Sequence, residues 1–185
     1  MLPEPDQRGH LEISLRRVEQ LFNSLDPSPF RDRDLDAEAE SYLVNWAQEL
    51  PRDVALSMSL HLAELEGAST DWIGESIQRY FTERRRLKLA ELHALLRQGR
   101  SSLAIGLAFL VSCLLLSQWL QGLMPHGMVA SVVRESFMVI GWVALWRPLE
   151  IYLYDWWPLW QKAQLLGRMS AMPVRVIPGA ASNKS

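Results

Sequence analysis

One long uncharged apolar run divides the chain into parts of different character. Residues 101–120, SSLAIGLAFLVSCLLLSQWL, give 20 positions without a formal charge. A helix rises about 1.5 Å per residue, so a run of this length covers the roughly 30 Å hydrocarbon core of a bilayer. Core helices of water-soluble proteins are usually shorter and keep a polar stripe. The pattern therefore predicts a transmembrane helix.

A second apolar segment follows, and charges interrupt it. Its longest uncharged stretch is the 11 residues 136–146, which is too short to cross a bilayer. Two charged pairs flank that stretch, Arg134 with Glu135 and Arg147 with Glu150. We expect a span from about residue 132 to residue 150, with the charged side chains near its ends reaching the headgroups. Arg147 and Glu150 are three residues apart and share one helical face, so their charges can neutralise each other.

Lysine and arginine are distributed unevenly around these two segments. They precede the first at Arg84, Arg85, Arg86, Lys88, Arg97 and Arg100, and follow the second at Lys162, Arg168, Arg175 and Lys184. The connection QGLMPHGM contains neither residue type. Because basic flanks stay in the cytoplasm, we predict a transmembrane hairpin over residues 101–150 with cytoplasmic N- and C-termini. The first 30 residues show no basic run followed by an apolar core, so we expect no cleaved secretory signal.

An aromatic segment closes the second span. WVALWRPLEIYLYDWWPLW carries Trp142, Trp146, Tyr152, Tyr154, Trp156, Trp157 and Trp160. Such rings favour the membrane interface, where the ring contacts lipid and the N–H or O–H group contacts water. Pro148 predicts a bend where the helix leaves the hydrocarbon, and Pro158 a second one. We expect residues 151–167 to lie along the cytoplasmic interface as anchors, with a role in headgroup binding or protein docking left open, and residues 168–185 to form a flexible basic tail.

The first 100 residues read as a small α+β domain behind a short tail, residues 1–9. LEISLRR and VALSMSLHL alternate apolar and polar residues as strands do, and DLDAEAESYLVNWAQEL between them reads as a helix capped by Asp34 or Asp36. Adjacent strands joined this way are parallel. No proline interrupts residues 72–120, so one helix can run from the domain into the membrane, broken at most near Gly99. The predicted fold is an α+β membrane protein, with a cytoplasmic β-α-β-α domain over residues 10–100 leading into the hairpin.

Two strands make an incomplete sheet. Their outer edges keep unpaired backbone N–H and C=O groups, which another chain can satisfy. We therefore predict a homo-oligomer, or a protein partner at the sheet edge.

Charge and motifs narrow the functional classes further. Residues 1–100 hold 13 Lys and Arg against 18 Asp and Glu, whereas residues 101–185 hold 6 against 3. An acidic domain does not favour nucleic acid, so the basic run RRRLK at 84–88 is interpreted as a topology signal or a contact to anionic lipid. The single cysteine, Cys113, excludes an intrachain disulfide.

No catalytic or metal-binding motif is present. The run Asp32, Asp34, Asp36 begins like a calcium loop, but Ala37 replaces the required glycine and Leu43 the final carboxylate. The four histidines lack ligand spacing. We expect no metal, no cofactor and no enzymatic activity.

Four stretches together, LFNSLDPSPF, DLD, RYFTERR and WRPLEIYLYDWWP, resemble a family of uncharacterised bacterial membrane proteins with a cytoplasmic domain and two spans. The resemblance covers most of residues 10–162. It implies the bacterial inner membrane and carries no activity.

The leading functional hypothesis is a non-enzymatic anchor or scaffold that self-associates through its cytoplasmic domain. The alternative is a small oligomeric channel or transporter subunit with a path lined by Arg134, Glu135, Gln118 or Gln121. A third hypothesis, an enzyme acting on lipid near Glu150 and Asp155, needs a nucleophile or metal site that the sequence does not show.

Overall fold

The structure is a computed structural model of the 185-residue chain, and it describes residues 9–23, 27, 33–63, 71–123 and 128–178. Two compact units divide the chain. The sheet unit comprises residues 1–87 and 162–185, and the helical unit comprises residues 88–161. The fold is mixed α and β and mostly helical.

The elements follow one another in a simple order. They are β1 His10–Leu15, a 3₁₀ turn Val18–Gln20, α1 Ala37–Glu49, β2 Ser57–Leu62, α2 Asp71–Leu123, α3 Met128–Val143, α4 Trp146–Glu150, a π-helical segment Ile151–Asp155, α5 Trp156–Ser170 and β3 Val174–Pro178. The two predicted strands, the helix between them and the long helix α2 are all present.

The sheet unit is built on three parallel strands in the order β1-β2-β3. Because side chains alternate across a strand, the register places one set of apolar rows on a single face: Leu11, Ile13 and Leu15 beside Met58, Leu60 and Leu62, with Val174 and Val176 beyond. Buried residues of α1, α2 and α5 pack against this face in one core. Asp36, a predicted cap, begins α1 and accepts a hydrogen bond from the Glu38 backbone N–H at 2.9 Å.

The third strand corrects one prediction about this unit. Residues 168–178 are not a flexible tail, because they complete α5 and form β3. The β3 backbone satisfies the edge of β2 that a two-stranded sheet would leave open, and Val174 and Val176 extend the apolar face. The sheet therefore acquires its third strand from the same chain, while Lys184 lies outside the described residues.

In the helical unit, α2 continues through Gly99 without a break. Of the described helices, α2 alone is long and apolar enough to cross a membrane. Its buried positions include Leu92, Gly99, Gly106 and Cys113, which repeat every seven residues. This spacing keeps one stripe of the helix facing its neighbour.

Glycine allows close approach along this stripe. A Cβ on Gly106 would lie 2.9 Å from the Ala144 carbonyl oxygen, and one on Gly99 2.9 Å from the Ile151 side chain. From the facing helix, a Cβ on Gly141 would lie 2.6 Å from Leu110. The two segments are in tight contact through small residues, as is typical of helix pairs in membranes.

The second predicted span is not one continuous helix. The 16-residue α3 ends at Val143 and α4 begins at Trp146. Pro148 explains the interruption, since it has no N–H to bond the Ala144 carbonyl four residues earlier and its ring crowds that carbonyl. Pro148 itself lies in the first turn of α4, where a missing N–H is tolerated. The interruption therefore lies at Ala144 and Leu145, before the proline.

Candidate membrane-interface site

Three charged side chains meet in the helical unit where α4 passes into the π-helical segment. Arg147 Nη1 lies 3.1 Å from Glu150 Oε2 and 3.2 Å from Asp155 Oδ2. The Trp146 indole N–H donates to Glu150 Oε1 at 2.9 Å. Arg147 is thus shared by two carboxylates, and one of these carboxylates also anchors an aromatic ring.

The π-helical segment accounts for the position of Asp155. In a regular α-helix the residue seven positions on returns to the same face, whereas the eighth is turned away by about 80°. The wider turns of Ile151–Asp155 add the equivalent of one residue. Asp155, eight positions after Arg147, is therefore brought back to the face that carries Arg147. Such segments interrupt α-helices mainly at functional places.

Three tryptophans follow directly and contact one another. The ring centroids of Trp156 and Trp157 are 5.4 Å apart at 89°, and those of Trp157 and Trp160 are 5.4 Å apart at 32°. The Trp156 indole N–H donates to the Tyr152 carbonyl at 2.8 Å. The indole therefore ties the first residue of α5 to the π-helical segment. The backbone is helical from Trp146 to Ser170, including Pro158.

Many of the predicted anchors are exposed on the helical unit. Trp142 is 68% exposed, Trp146 62% and Tyr154 70%, while Tyr152 and Trp157 are exposed to a smaller extent. The apolar side chains of α2 show the same pattern, since only 17% of its most apolar window is buried. A surface of this kind is unfavourable in water and favourable in lipid.

Arg134 and Glu135 are not brought into this site. Both are exposed on α3, two helical turns after its first residue, and neither has an ion pair among the described residues. Gln118 is also exposed, and nothing in the described chain joins these side chains into one polar path.

The basic run 84–88 is largely engaged by neighbouring acids. Arg84 pairs with Glu40 at 2.6 Å, Arg86 pairs with Glu83, and Lys88 pairs with Glu91 at 2.7 Å. Arg85 is exposed and lies beside Gly167. Of the four basic residues predicted to face lipid, Arg85 is the one without a carboxylate partner in the described structure.

Tyr80 links the Arg84 pair to the core of the sheet unit. Its hydroxyl donates to Glu40 Oε2 at 2.7 Å and accepts from Arg84 Nε at 2.9 Å. Burial raises the pKa of Tyr80 well above its ordinary value of 10.0, and the hydrogen bond to Glu40 raises it further. The phenol therefore remains a hydrogen-bond donor at every physiological pH.

Sequence reasoning missed two features of the helical unit. The Arg147–Asp155 contact depends on the π-helical register, for which a local signal was present in the two prolines, Pro148 and Pro158. The close approach of the helices was indicated by Gly99, Gly106 and Cys113 at intervals of seven. Asp32 of the acidic run and His126 of the predicted connection lie outside the described residues.

The described part of the chain holds no group of three or more His, Cys, Asp or Glu arranged to bind a metal ion. Its most distinctive chemistry is the combination of a shared guanidinium, two carboxylates and clustered indoles, which suits the polar boundary of a bilayer. No protein-family model, curated protein or solved structure matches the chain. The resemblance to a two-span bacterial family therefore stays a prediction.

Proposed function

We propose that this chain is an integral protein of the bacterial inner membrane, in which the helical unit crosses the bilayer twice and the sheet unit is held in the cytoplasm. In this proposal it is a non-enzymatic anchor or scaffold that self-associates through the sheet unit. The observation that carries the proposal is the exposed apolar surface of α2, of which Ile105 at 70% and Leu115 at 62% are examples. Lipid is the solvent that makes such exposure favourable.

The second crossing rests on contacts and composition. Gly106 and Gly141 allow the two segments to approach closely, and α3, α4 and the π-helical segment continue one another with a single interruption at Ala144 and Leu145. From about residue 132 to residue 150 there are 19 residues, which is enough for a crossing whose charged side chains lie near its ends. The Arg147 cluster and the tryptophans then fall at the end of that crossing, where charges and indoles are favoured.

The cytoplasmic placement rests on the basic flanks of the two segments. It is tested by labelling intact cells with a membrane-impermeant maleimide, using single cysteines in a Cys113→Ala background. Glu49→Cys on α1 and Met128→Cys at the start of α3 are suitable, because both positions are exposed. We expect label at position 128 in intact cells, and label at position 49 only after permeabilisation. Label at position 49 in intact cells would reverse the orientation.

The scaffold role is tested by the mass of the purified particle in detergent, corrected for bound detergent. A particle of two or more chains supports it. A monomer at every protein concentration removes self-association from the proposal and leaves an anchor alone.

A further inference from the structure

The sheet unit leaves one face of its sheet uncovered by any described helix. Parallel sheets normally have both faces covered, because their crossover helices pack on both sides. Here α1, α2 and α5 contribute to a single core on the apolar face. On the opposite face Glu12, Ser14, Arg175 and Ile177 are exposed on the two edge strands, whereas Ser59 on the central strand is buried between its neighbours.

The exposed face carries opposite charges at its two edges. The strand register places Glu12, Ser59 and Arg175 in one row across the sheet, and Ser14, His61 and Ile177 in the next row. Glu12 lies on edge strand β1 and Arg175 on edge strand β3, with the small Ser59 between them on β2. Glu12 is 70% exposed, with the His10 ring as its neighbour at 3.7 Å, and Arg175 has no ion pair within the described residues.

We propose that this face packs against the same face of a second copy, related by a two-fold axis that runs parallel to the strands above β2. This proposal rests on the self-association proposed above and names the surface that performs it. The rotation places β1 of one copy opposite β3 of the other, and it leaves each row of residues at the same position along the strands. Glu12 of each copy then faces Arg175 of the other, and Ser14 faces Ile177.

Self-pairing is favoured because the surface is complementary to itself. Each two-fold contact forms the Glu12–Arg175 pair twice, as an isologous interface requires. Along β2 this face carries Ser57, Ser59 and His61, and the two-fold axis places each His61 opposite its counterpart in the other copy. Two copies that both carried the same sign of charge at both edges would repel each other.

The size of the face explains why the second copy should share the membrane. Three strands spaced about 4.8 Å apart and five residues long present roughly 250 Å² per copy. Stable complexes of free proteins bury about 800 Å² per partner, so the sheet units alone would associate weakly. Two copies anchored in one membrane have a high effective concentration, which allows a small specific contact to be occupied.

The experiment uses cross-linking between two differently tagged full-length copies in native membranes, both in a Cys113→Ala background. One copy carries Ser14→Cys and the other Ile177→Cys, and a short bismaleimide joins them only if those positions face each other. We expect a cross-linked heterodimer for this pair, and at least fivefold less product when both copies carry Ser14→Cys.

Charge-reversal variants then test the proposed contact between Glu12 of one copy and Arg175 of the other. With Glu12→Arg in both copies, the side chain introduced at position 12 would oppose the like charge of Arg175 twice, and we expect the cross-link to fall about tenfold. Arg175→Glu in both copies should do the same. With Glu12→Arg in one copy and Arg175→Glu in the other, every facing pair is again opposite in sign, and the cross-link should return.

The mixture of a Glu12→Arg copy with an Arg175→Glu copy separates pairing between copies from pairing within one copy. Within each of these chains, positions 12 and 175 carry the same sign of charge, so only contact between the two chains can restore an attraction. Glu49→Arg, the same charge change on an exposed position of α1, should leave the cross-link unchanged. Charge-reversed copies that cross-link as well as the parent, or a mixture that is not restored, would overturn the face-to-face contact. If the particle mass still shows an oligomer in that case, self-association stands through another surface; a monomeric particle would remove both proposals.

Discussion

Phe81 and Phe109 lie on the same helix, yet they occupy opposite environments. Phe81 is fully buried in the core of the sheet unit, whereas Phe109, on the apolar run of α2, is 46% exposed. The sheet unit follows the rule of water-soluble domains, with apolar side chains inside and charges outside. The helical unit keeps small residues inside and exposes large apolar ones. One continuous helix thus contains two patterns of burial, and in the proposed topology the change between them marks a change of solvent.

The largest expected effect tests this difference directly with one substitution made twice. Phe81→Ala should lower the free energy of unfolding of the sheet unit by about 3–5 kcal/mol, because it removes a large buried side chain and leaves a cavity. Phe109→Ala should change the free energy of unfolding of the helical unit by less than about 1 kcal/mol, because lipid or detergent takes the place of the exposed ring. Thermal unfolding of the purified protein in detergent measures both. Equal losses would show that Phe109 has a packed role that its exposure does not indicate.

The next effect concerns the interior of the helical unit. Gly106→Leu should destabilise that unit by about 1–3 kcal/mol, because its Cβ meets the backbone carbonyl of Ala144 and that helix must move. Gly122→Leu is the matched control on the same helix, since a Cβ there has no neighbour within 4 Å. Resistance to unfolding by denaturing detergent, followed by helical circular dichroism, compares the two. A control that is damaged as much as Gly106→Leu would argue against specific packing at Gly106.

A smaller effect concerns the polar network of the sheet unit. Tyr80→Phe removes a hydrogen bond to Glu40 and one from Arg84, and should cost about 1 kcal/mol at neutral pH. The raised pKa of Tyr80 means that the folded state holds the phenolic proton more tightly than the unfolded state does. This stabilisation is complete below the ordinary tyrosine pKa of about 10 and is lost as the pH rises above it.

The parent should therefore lose stability above about pH 10 more steeply than Tyr80→Phe does, and the difference between the two proteins should shrink there. Unfolding temperatures measured from about pH 8 upward check this. Parallel curves for the two proteins would mean that Tyr80 is not the group responsible.

The smallest effect is expected at the Arg147 cluster of the helical unit. Arg147 contacts both Glu150 and Asp155, and all three side chains are partly exposed, so each pair contributes at most about 1 kcal/mol. Arg147→Leu should cost more than Glu150→Leu, because Glu150→Leu leaves Arg147 paired with Asp155. The double change should cost less than the sum of the two single changes.

Folded yield and thermal stability in detergent give this ordering, and Arg134→Leu serves as the control for loss of an arginine that has no ion pair among the described residues. Single variants as stable as the parent would mean that the Arg147 cluster is solvated, and the interruption of the helix would then be attributed to Pro148 alone.

Local pattern was sufficient for most of the elements but not for the complete sheet. Leu11, Ile13 and Leu15 alternate clearly, and so do Met58, Leu60 and Leu62, so both strands and their parallel pairing were predictable. In β3 only Val174 and Val176 mark the apolar face, between two prolines and within a basic stretch. This segment forms a strand because it pairs with β2, more than 100 residues earlier in the chain. The local pattern of apolar and polar residues does not indicate that long-range pairing.

In the candidate site, too, only one of the two ion pairs of Arg147 could be predicted from the sequence. The spacing of three between Arg147 and Glu150 predicted their contact correctly, because that stretch is a regular α-helix. Asp155 could not be added by counting, since its position depends on the change to π-helical geometry after Glu150. The aromatic cluster was identifiable from composition, and several of its side chains are exposed, while their role as membrane anchors stays a prediction.

The central claim, that one helix passes from an aqueous domain into lipid, is tested most directly by spin labels on two equally exposed positions. Tyr42 on α1 is 58% exposed and Leu115 on α2 is 62% exposed, and each is replaced by cysteine in a Cys113→Ala background and labelled in lipid vesicles. Collisions with oxygen, which concentrates in lipid, and with a water-soluble nickel chelate are measured by electron paramagnetic resonance. We predict that the label at position 115 collides with oxygen and is protected from nickel, and that the label at position 42 shows the reverse. Equal access of the nickel chelate to both labels would contradict the account.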